Sequence, residues 1–227
     1  EEGENMVVFG QSGTGKSVLL KCIVRLLEPD SGEIIIDGKD VLSLDVKELN
    51  KVRQNLGFLF QGAALYDSMT VRENLEFPLI RHFNFTPKER EEKIKSVLEK
   101  VSLEEAIDKM PSELSGGMKK RIGLARSVIA EPKLMLYDEP TTGLDPITSK
   151  EISSLILELQ KSLKMTSIIV THDLLCAEII ADRAIVLNNG IVQHEGSIEE
   201  LTSSSDPFLR NFFSHKIFDQ QNRSSNV

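Results

Sequence analysis

The chain has little cysteine, no long uncharged apolar run, and a deficit of positive charge. Its two cysteines, Cys22 and Cys176, stand in neither a metal-binding nor a redox spacing. They read as small buried hydrophobes in a reducing compartment. Apolar stretches are broken by Lys21 and Arg25, and again by Glu178, Asp182 and Arg183. They fall short of the roughly 18 uncharged residues that a membrane-spanning helix needs. No leader-like segment stands ahead of residue 10. A membrane role is therefore expected to be peripheral or through partner chains. Lys and Arg total 27 against 35 Asp and Glu, a net charge of −8, which disfavours broad binding to a nucleic-acid backbone. No nucleic-acid partner is expected, and no internal repeat is visible.

What is present is a packable α/β composition. Apolar residues make up 40% of the 227 positions and charged residues 27%, enough for one large domain or a core with a subdomain. Gly10-Gln11-Ser12-Gly13-Thr14-Gly15-Lys16-Ser17 fits G-x-x-x-x-G-K-[ST]. In that pattern glycines let successive N–H groups face one anion, the lysine reaches β- and γ-phosphates, and the hydroxyl serves Mg²⁺. A glycine-rich turn alone is weak, but here the flanks agree. Met6-Val7-Val8-Phe9 reads as a buried strand and 18–27 as a mostly apolar helix. A helix start adds its positive dipole end to the anion site.

Residues 1–5 read as a stub, with an upstream part of the domain expected before them. A strand is predicted over 33–36, a hairpin turn at Asp37-Gly38, a short helix over 46–52 and a strand over 56–60 ending at Gln61. From Gly62 the pattern turns helical. Thr70 caps one helix, and Thr86, Pro87 and Glu89 open another whose apolar stripe is Ile94, Val97, Leu98 and Val101. Helices are predicted over 117–130, 149–164 and 174–181, and strands over 134–137 and 167–170. A hairpin across Asn188-Asn189-Gly190, a capping box at Ser197 and a helix over 206–213 complete the series, with a polar, frayed end from 214. Strands alternating with helices imply a mostly parallel sheet covered on both faces.

Two further stretches carry chemistry. Leu134-Met135-Leu136-Tyr137 ends in Asp138, placed to hold the cation of the phosphate loop, and Glu139 follows where a carboxylate can orient or deprotonate water. Leu114-Ser115-Gly116-Gly117-Met118 makes a second anion-binding helix start, which one bound nucleotide does not need. Lys119, Lys120 and Arg121 read as an exposed basic helix face.

These residues resemble the ATPase subunits of ABC transporters over nearly the whole chain. Residues 10–17 resemble Walker A, 134–138 with Glu139 Walker B and its catalytic glutamate, Gln61 the Q-loop glutamine, and 114–118 the family signature. Gly143-Leu144-Asp145 resembles the D-loop, and His172, just past a core strand, the switch histidine. The resemblance implies a P-loop NTPase fold, with a RecA-like mostly parallel sheet, an antiparallel β portion and an inserted α-helical subdomain. It places the nucleotide-binding core at 1–61 and 117–203, the helical subdomain at 62–116 and a C-terminal helix with polar tail at 204–227. It implies ATP and Mg²⁺. ATP would be held by Gly10, Gln11, Ser12, Gly13, Thr14, Gly15, Lys16 and Ser17, with Ser115, Gly116, Gly117 and Asp145 also at the nucleotide, and in a head-to-tail homodimer Ser115 and Gly117 would touch the γ-phosphate bound by the other copy. Ser17, Gln61 and Asp138 would serve the metal, and Glu139, His172, Gln61 and Lys16 the catalysis.

Two departures stand out. Met118 occupies a position where most members carry glutamine, and the aromatic residue that stacks on adenine in the family falls upstream of residue 1. The Met118 variant followed by Lys119-Lys120-Arg121 is similar to the Mla-type ATPases of MCE-associated lipid transporters. So are Leu59-Phe60-Gln61-Gly62-Ala63-Ala64-Leu65-Tyr66-Asp67-Ser68-Met69-Thr70-Val71, Asp145-Pro146-Ile147-Thr148 and Asp206-Pro207-Phe208-Leu209-Arg210. This implies a permease, an MCE-domain protein, a phospholipid or related cargo, and a place on the cytoplasmic face of a membrane. An importer of another small solute, such as an amino acid, fits the same motifs. A non-transport ATPase acting on nucleic acid or ribosomes fits less well, because the chain holds one cassette and an insert of only about fifty residues.

Overall fold

Val7 and Phe9 point to one side of strand β1 (Asn5–Gly10) and Val8 to the other, and all three are buried. This period-two alternation, with burial on both faces, is what a central parallel strand requires. In the computed structural model, which describes residues 1–214, β1 lies in the middle of a six-stranded sheet. The strands are β4 (Leu56–Leu59), β5 (Leu134–Asp138), β6 (Thr166–Val170), β7 (Arg183–Asn188) and β8 (Ile191–Gly196), in the order β4-β5-β6-β1-β7-β8. All neighbours run parallel except β7 and β8, which form an antiparallel hairpin turned by Asn189 and Gly190 at φ 49° and 80°. A separate two-stranded hairpin, β2 (Ile35–Ile36) and β3 (Lys39–Asp40), turns at Asp37 and Gly38 with φ 49° and 73°. Paired positive φ values are the geometry that matches strand twist in a two-residue turn. The ladder is shorter than the sequence pattern implies: Glu33 and Ile34 lie outside the strand, although the Ile34 carbonyl still accepts from Val41 N–H.

One face of the sheet buries Val8, Leu136 and Val170 against Leu20 of helix α1 (Lys16–Ile23). The other buries Phe9, Met135, Tyr137 and Ile169 against helices α5 (Gly116–Val128), α6 (Pro146–Leu163) and α7 (Leu174–Ile180). Helix α2 (Val46–Arg53) seals the small hairpin through Leu49 and Val52. Helices α3 (Val71–His82) and α4 (Pro87–Lys100) each start on a complete capping box, Thr70 with Glu73 and Thr86 with Glu89. Ile94, Val97, Leu98 and Val101 form the buried stripe of α4 and its end. Helix α8 (Ile198–Ser203) is boxed by Ser197 and Glu200, and a last described helix, 207–214, is capped by Asp206, whose Oδ1 accepts from Phe208 and Leu209 N–H. The expected polar end from 214 falls, beyond Ser214 itself, outside the described residues.

Helix α1 stops at Ile23, four residues before the apolar pattern runs out. Arg53 explains the stop: its Nε and Nη2 donate to the Val24 and Arg25 carbonyls at 3.0 and 2.9 Å. Arg25 then adopts φ 52° and donates to the Leu44 carbonyl at 2.6 Å. Leu26 and Leu27 are consequently exposed rather than helical core. Carbonyls capped from a distant helix end this one, an effect local periodicity does not encode.

Candidate active site

The glycines of the 10–17 loop serve two purposes. At Gly10 a Cβ would come within 2.6 Å of Thr14 Oγ1 and 3.0 Å of the Leu187 carbonyl, so the folded-back loop and the neighbouring strand together leave no room for a side chain. Gly13 and Gly15 adopt φ 82° and 89°, where L residues are strained. The turn they allow delivers the chain into α1 with its free N–H groups at the loop. Lys16 is buried, and its Nζ donates to the Gly10 and Gln11 carbonyls at 3.0 and 2.9 Å. Burial lowers the Lys16 pKa, opposed by the charges of Glu139 and Asp138.

Parallel register brings the other groups to this loop. β5 and β6 pair Asp138 with Val170, and β6 and β1 pair Val170 with Val8, so three strand ends open at one level. Ser17 Oγ donates to Asp138 Oδ1 at 2.7 Å across 121 positions of sequence. Glu139 leaves the strand at φ 52° with its N–H bonded to the Val170 carbonyl. A left-handed glutamate at a strand end is held by its surroundings, as strained residues at functional sites are. Its Oε2 lies 2.7 Å from His172 Nδ1 and accepts from His172 N–H at 3.3 Å and Thr142 Oγ1 at 3.2 Å. Burial pushes the Glu139 pKa up, but the bonds and charge of His172, with the Thr142 hydroxyl, outweigh it and hold the carboxyl below its ordinary value.

These groups face one cleft of about 760 Å³, lined by the loop from Gly10 to Val18 except Thr14, by Gln61, Glu139, Thr142 and His172, and by Asn211 and Phe212 of the last helix. Such a crevice beyond the carboxyl ends of parallel strands is where open α/β sheets bind ligands. Thr14 Oγ1 instead closes the loop on the Gln11 carbonyl at 2.8 Å. Ser115, Gly116, Gly117 and Asp145 do not line this cleft. Ser115 caps α5 by accepting from Met118 N–H at 3.2 Å, and Asp145 caps α6 by accepting from Ile147 and Thr148 N–H at 3.0 Å each. Gly117 lets the two helix starts touch, since a Cβ there would stand 2.9 Å from Thr148 Cγ2.

The basic run after the signature is not a free surface. Lys120 is buried and donates to the Gln61 and Glu139 carbonyls, while Arg121 pairs with Glu151 at 2.9 Å and donates to the Val101 carbonyl. Ile122, Gly123, Leu124 and Ala125 are all buried as well, so α5 has core on most of its circumference, and its docking on the chain after β4 draws Lys120 in. Asn211, Phe212 and Thr142 were likewise not marked by any motif.

A hard cation fits beside the loop. Ser17 and Asp138 present oxygen donors 2.7 Å apart, and among the described residues no cluster of three His, Cys, Asp or Glu surrounds them. Few protein oxygens, completed by phosphate and water, is the ligand set that Mg²⁺ takes. The arrangement as a whole can seat an anion at a helix start, neutralise it with Lys16, and present an ionised carboxylate to a water.

Fold and site together define a P-loop nucleotide-binding cassette. The ABC transporter family profile matches residues 1–142. The chain is 40% identical over 210 residues to the probable ribonucleotide transport ATP-binding protein mkl of Mycobacterium leprae, covering 92% of this chain and 60% of that one. It is 41% identical over 202 residues to the methionine import ATP-binding protein MetN of Carboxydothermus hydrogenoformans, covering 88% and 59%. Among solved structures it matches the ATP-binding cassette MJ0796, a dimer in a post-hydrolysis state bound to ADP and Pi, with TM-score 0.79, 35% identity and 87% of each chain covered. The chain belongs to the ABC transporter family. It spans about three fifths of the length of the curated relatives it matches.

Proposed function

We propose that the chain is the ATP-hydrolysing subunit of an ABC transporter, working as a head-to-tail pair that clasps two ATP and drives a membrane permease. The observation that carries this reading is the split of the site. Lys16, Ser17, Glu139 and His172 line one cleft, with Asp138 bonded to Ser17 at its edge, whereas Ser115, Gly116 and Gly117 sit outside it at a separate helix start. A second copy supplies the partner each half lacks. Lys16 exchanges its loop carbonyls for the β- and γ-phosphates, and the loop N–H groups take the remaining oxygens. Ser17 and Asp138 would hold Mg²⁺, which would supply charge neutralisation to the phosphates. Glu139, kept ionised, orients the attacking water and accepts its proton; His172 fixes the Glu139 carboxylate and contacts the γ-phosphate. Gln61 reports the state of the site to the permease.

A groove of about 250 Å³ lined by Phe58, Tyr66, Phe77, Phe83 and Arg126 supports a permease seat, because Arg126 also holds the chain just after Gln61. Among the described residues no helix is long and apolar enough to cross a membrane, which fits a peripheral place on the cytoplasmic face. We assign residues 62–116 to a helical unit that moves against the nucleotide-binding core. For cargo we favour a phospholipid or related lipid, delivered with an MCE-domain protein, on the Mla-type motifs at 59–71, 114–121, 145–148 and 206–210. The 41% identity to MetN favours a second reading, an amino-acid importer. Native mass spectrometry of the complex from membranes separates them. A permease with an MCE-domain protein and bound lipid supports the first, and a soluble substrate-binding protein with an amino acid supports the second.

A further inference from the structure

Helix α5 grips the chain that leaves β4 at three points spaced about a turn apart. Lys120, only 6% exposed, donates from Nζ to the Gln61 carbonyl and, at 3.4 Å, to the Glu139 carbonyl. Gly123 lies so close that a Cβ there would stand 2.8 Å from Ala63 Cβ. Arg126 Nη2 donates to the Ala63 and Ala64 carbonyls at 3.1 and 2.8 Å. Both alanines adopt positive φ, 60° and 50°, a conformation that persists only where the surroundings fix it. Segment 61–64 is therefore shaped by α5 rather than by its own sequence.

Lys120 is the point of this grip that reaches the chemistry. A buried ammonium is costly unless its hydrogens are bonded, and here carbonyls on two different segments bond them. One carbonyl belongs to Gln61 and the other to Glu139, while Lys120 itself does not line the nucleotide cleft. We infer that Lys120 is a positioning residue for hydrolysis, tying the backbones of Gln61 and Glu139 to the helix whose first turn, Ser115 to Gly117, engages the other copy's nucleotide. Closure of that helix end and placement of the water-activating groups then become one movement. This rests on the hydrolytic reading of Glu139 given above.

The test is steady-state ATP turnover of the full chain and its Lys120→Met, Lys120→Gln and Lys120→Arg variants, alongside the Kd of a non-hydrolysable ATP analogue. Misplacement of a catalytic group by a fraction of an ångström to an ångström is costly, so Lys120→Met is expected to lower kcat by about tenfold or more, with KM and analogue Kd within about twofold. Lys120→Arg, which can donate to both carbonyls, is expected to recover most of the lost kcat. Should Lys120→Met not fold, Lys120→Gln, which keeps N–H donors without the charge and reaches less far, carries the same comparison. A kcat within about twofold of the parent, an analogue Kd that rises in step with the fall in kcat, or an Arg variant no better than the neutral ones overturns the inference. A parent chain that turns over no ATP refutes the hydrolytic reading instead, so the two failures are distinct.

Discussion

The strand-borne half of the site and the helix-borne half are built in opposite ways. On the strand side every charged group already has a partner inside the chain: Lys16 on two loop carbonyls, Ser17 on Asp138, Glu139 on His172 and Thr142. Parallel register brings Asp138 level with the loop and Glu139 level with the end of β6, while the partners of Lys16 lie within its own loop. On the helix side, Ser115 and Gly116 are exposed, and among the described residues the Ser115 hydroxyl is engaged only with its own helix. One chain therefore carries two glycine-bearing helix starts that it does not bring together. Pre-organisation belongs to the strand ends, and the helix side is left to be completed by a second copy on the reading proposed above.

Substitutions that strike one side and spare the other sharpen this contrast. The largest effect is expected from Glu139→Gln, which keeps shape and hydrogen-bond capacity but cannot accept a proton; ATP turnover should fall by about 10²–10⁴-fold with nucleotide binding retained. Parental turnover in that variant would remove Glu139 from the base role. Lys16→Ala comes next. Each lost charge-assisted hydrogen bond to phosphate is worth about 1.5–3 kcal/mol, so ATP affinity, read by fluorescence titration, should drop by roughly tenfold to more than a hundredfold.

Gly116→Glu addresses the helix side alone. No atom lies within 4 Å of a Cβ at Gly116, and a carboxylate in the first turn of a helix is favourable by about 0.3–1 kcal/mol. The variant should keep or slightly raise its Tm and bind ATP as the parent does, yet fail to pair, because the new charge faces the other copy's γ-phosphate. ATP-dependent pairing that survives this substitution breaks the two-halves account.

The smallest effect is a shift in pH dependence. Glu139 is held below its ordinary value, so it adds stability that is full above the unfolded-state pKa and is lost as pH falls through the folded-state one. Thr142→Val removes one hydrogen bond to the ionised carboxylate and raises the folded-state pKa. The acid limb of the kcat profile should move to higher pH, and the stability lost on acidification should be smaller; an unmoved limb assigns that limb to another group.

Local signals carried the parts of this molecule that local physics decides. The glycine loop, the capping boxes at Thr70, Thr86 and Ser197, and the asparagine-glycine hairpin at 188–190 all form where the residue types require them. Asp138 and Glu139 could be found because an apolar strand ends on them. What was not legible depends on distant contacts. Arg53 ends α1 from about thirty residues away, and no period in 18–27 records it. Lys120 was read as surface because a Lys-Lys-Arg run ordinarily is, whereas the docking of α5 on 61–64 turns it inward. Asn211 and Phe212 reach the cleft only because the last helix folds back beside Phe9, whose ring lies 6.2 Å from that of Phe212.

The central claim is that the two half-sites complete each other across two chains, and the molar mass of Glu139→Gln in solution tests it most directly. Light scattering behind a sizing column, with Mg²⁺ present throughout, should give the 25.4 kDa of one chain without nucleotide and twice that with ATP. A mass that stays at one chain under saturating ATP, with the nucleotide demonstrably bound, contradicts the account.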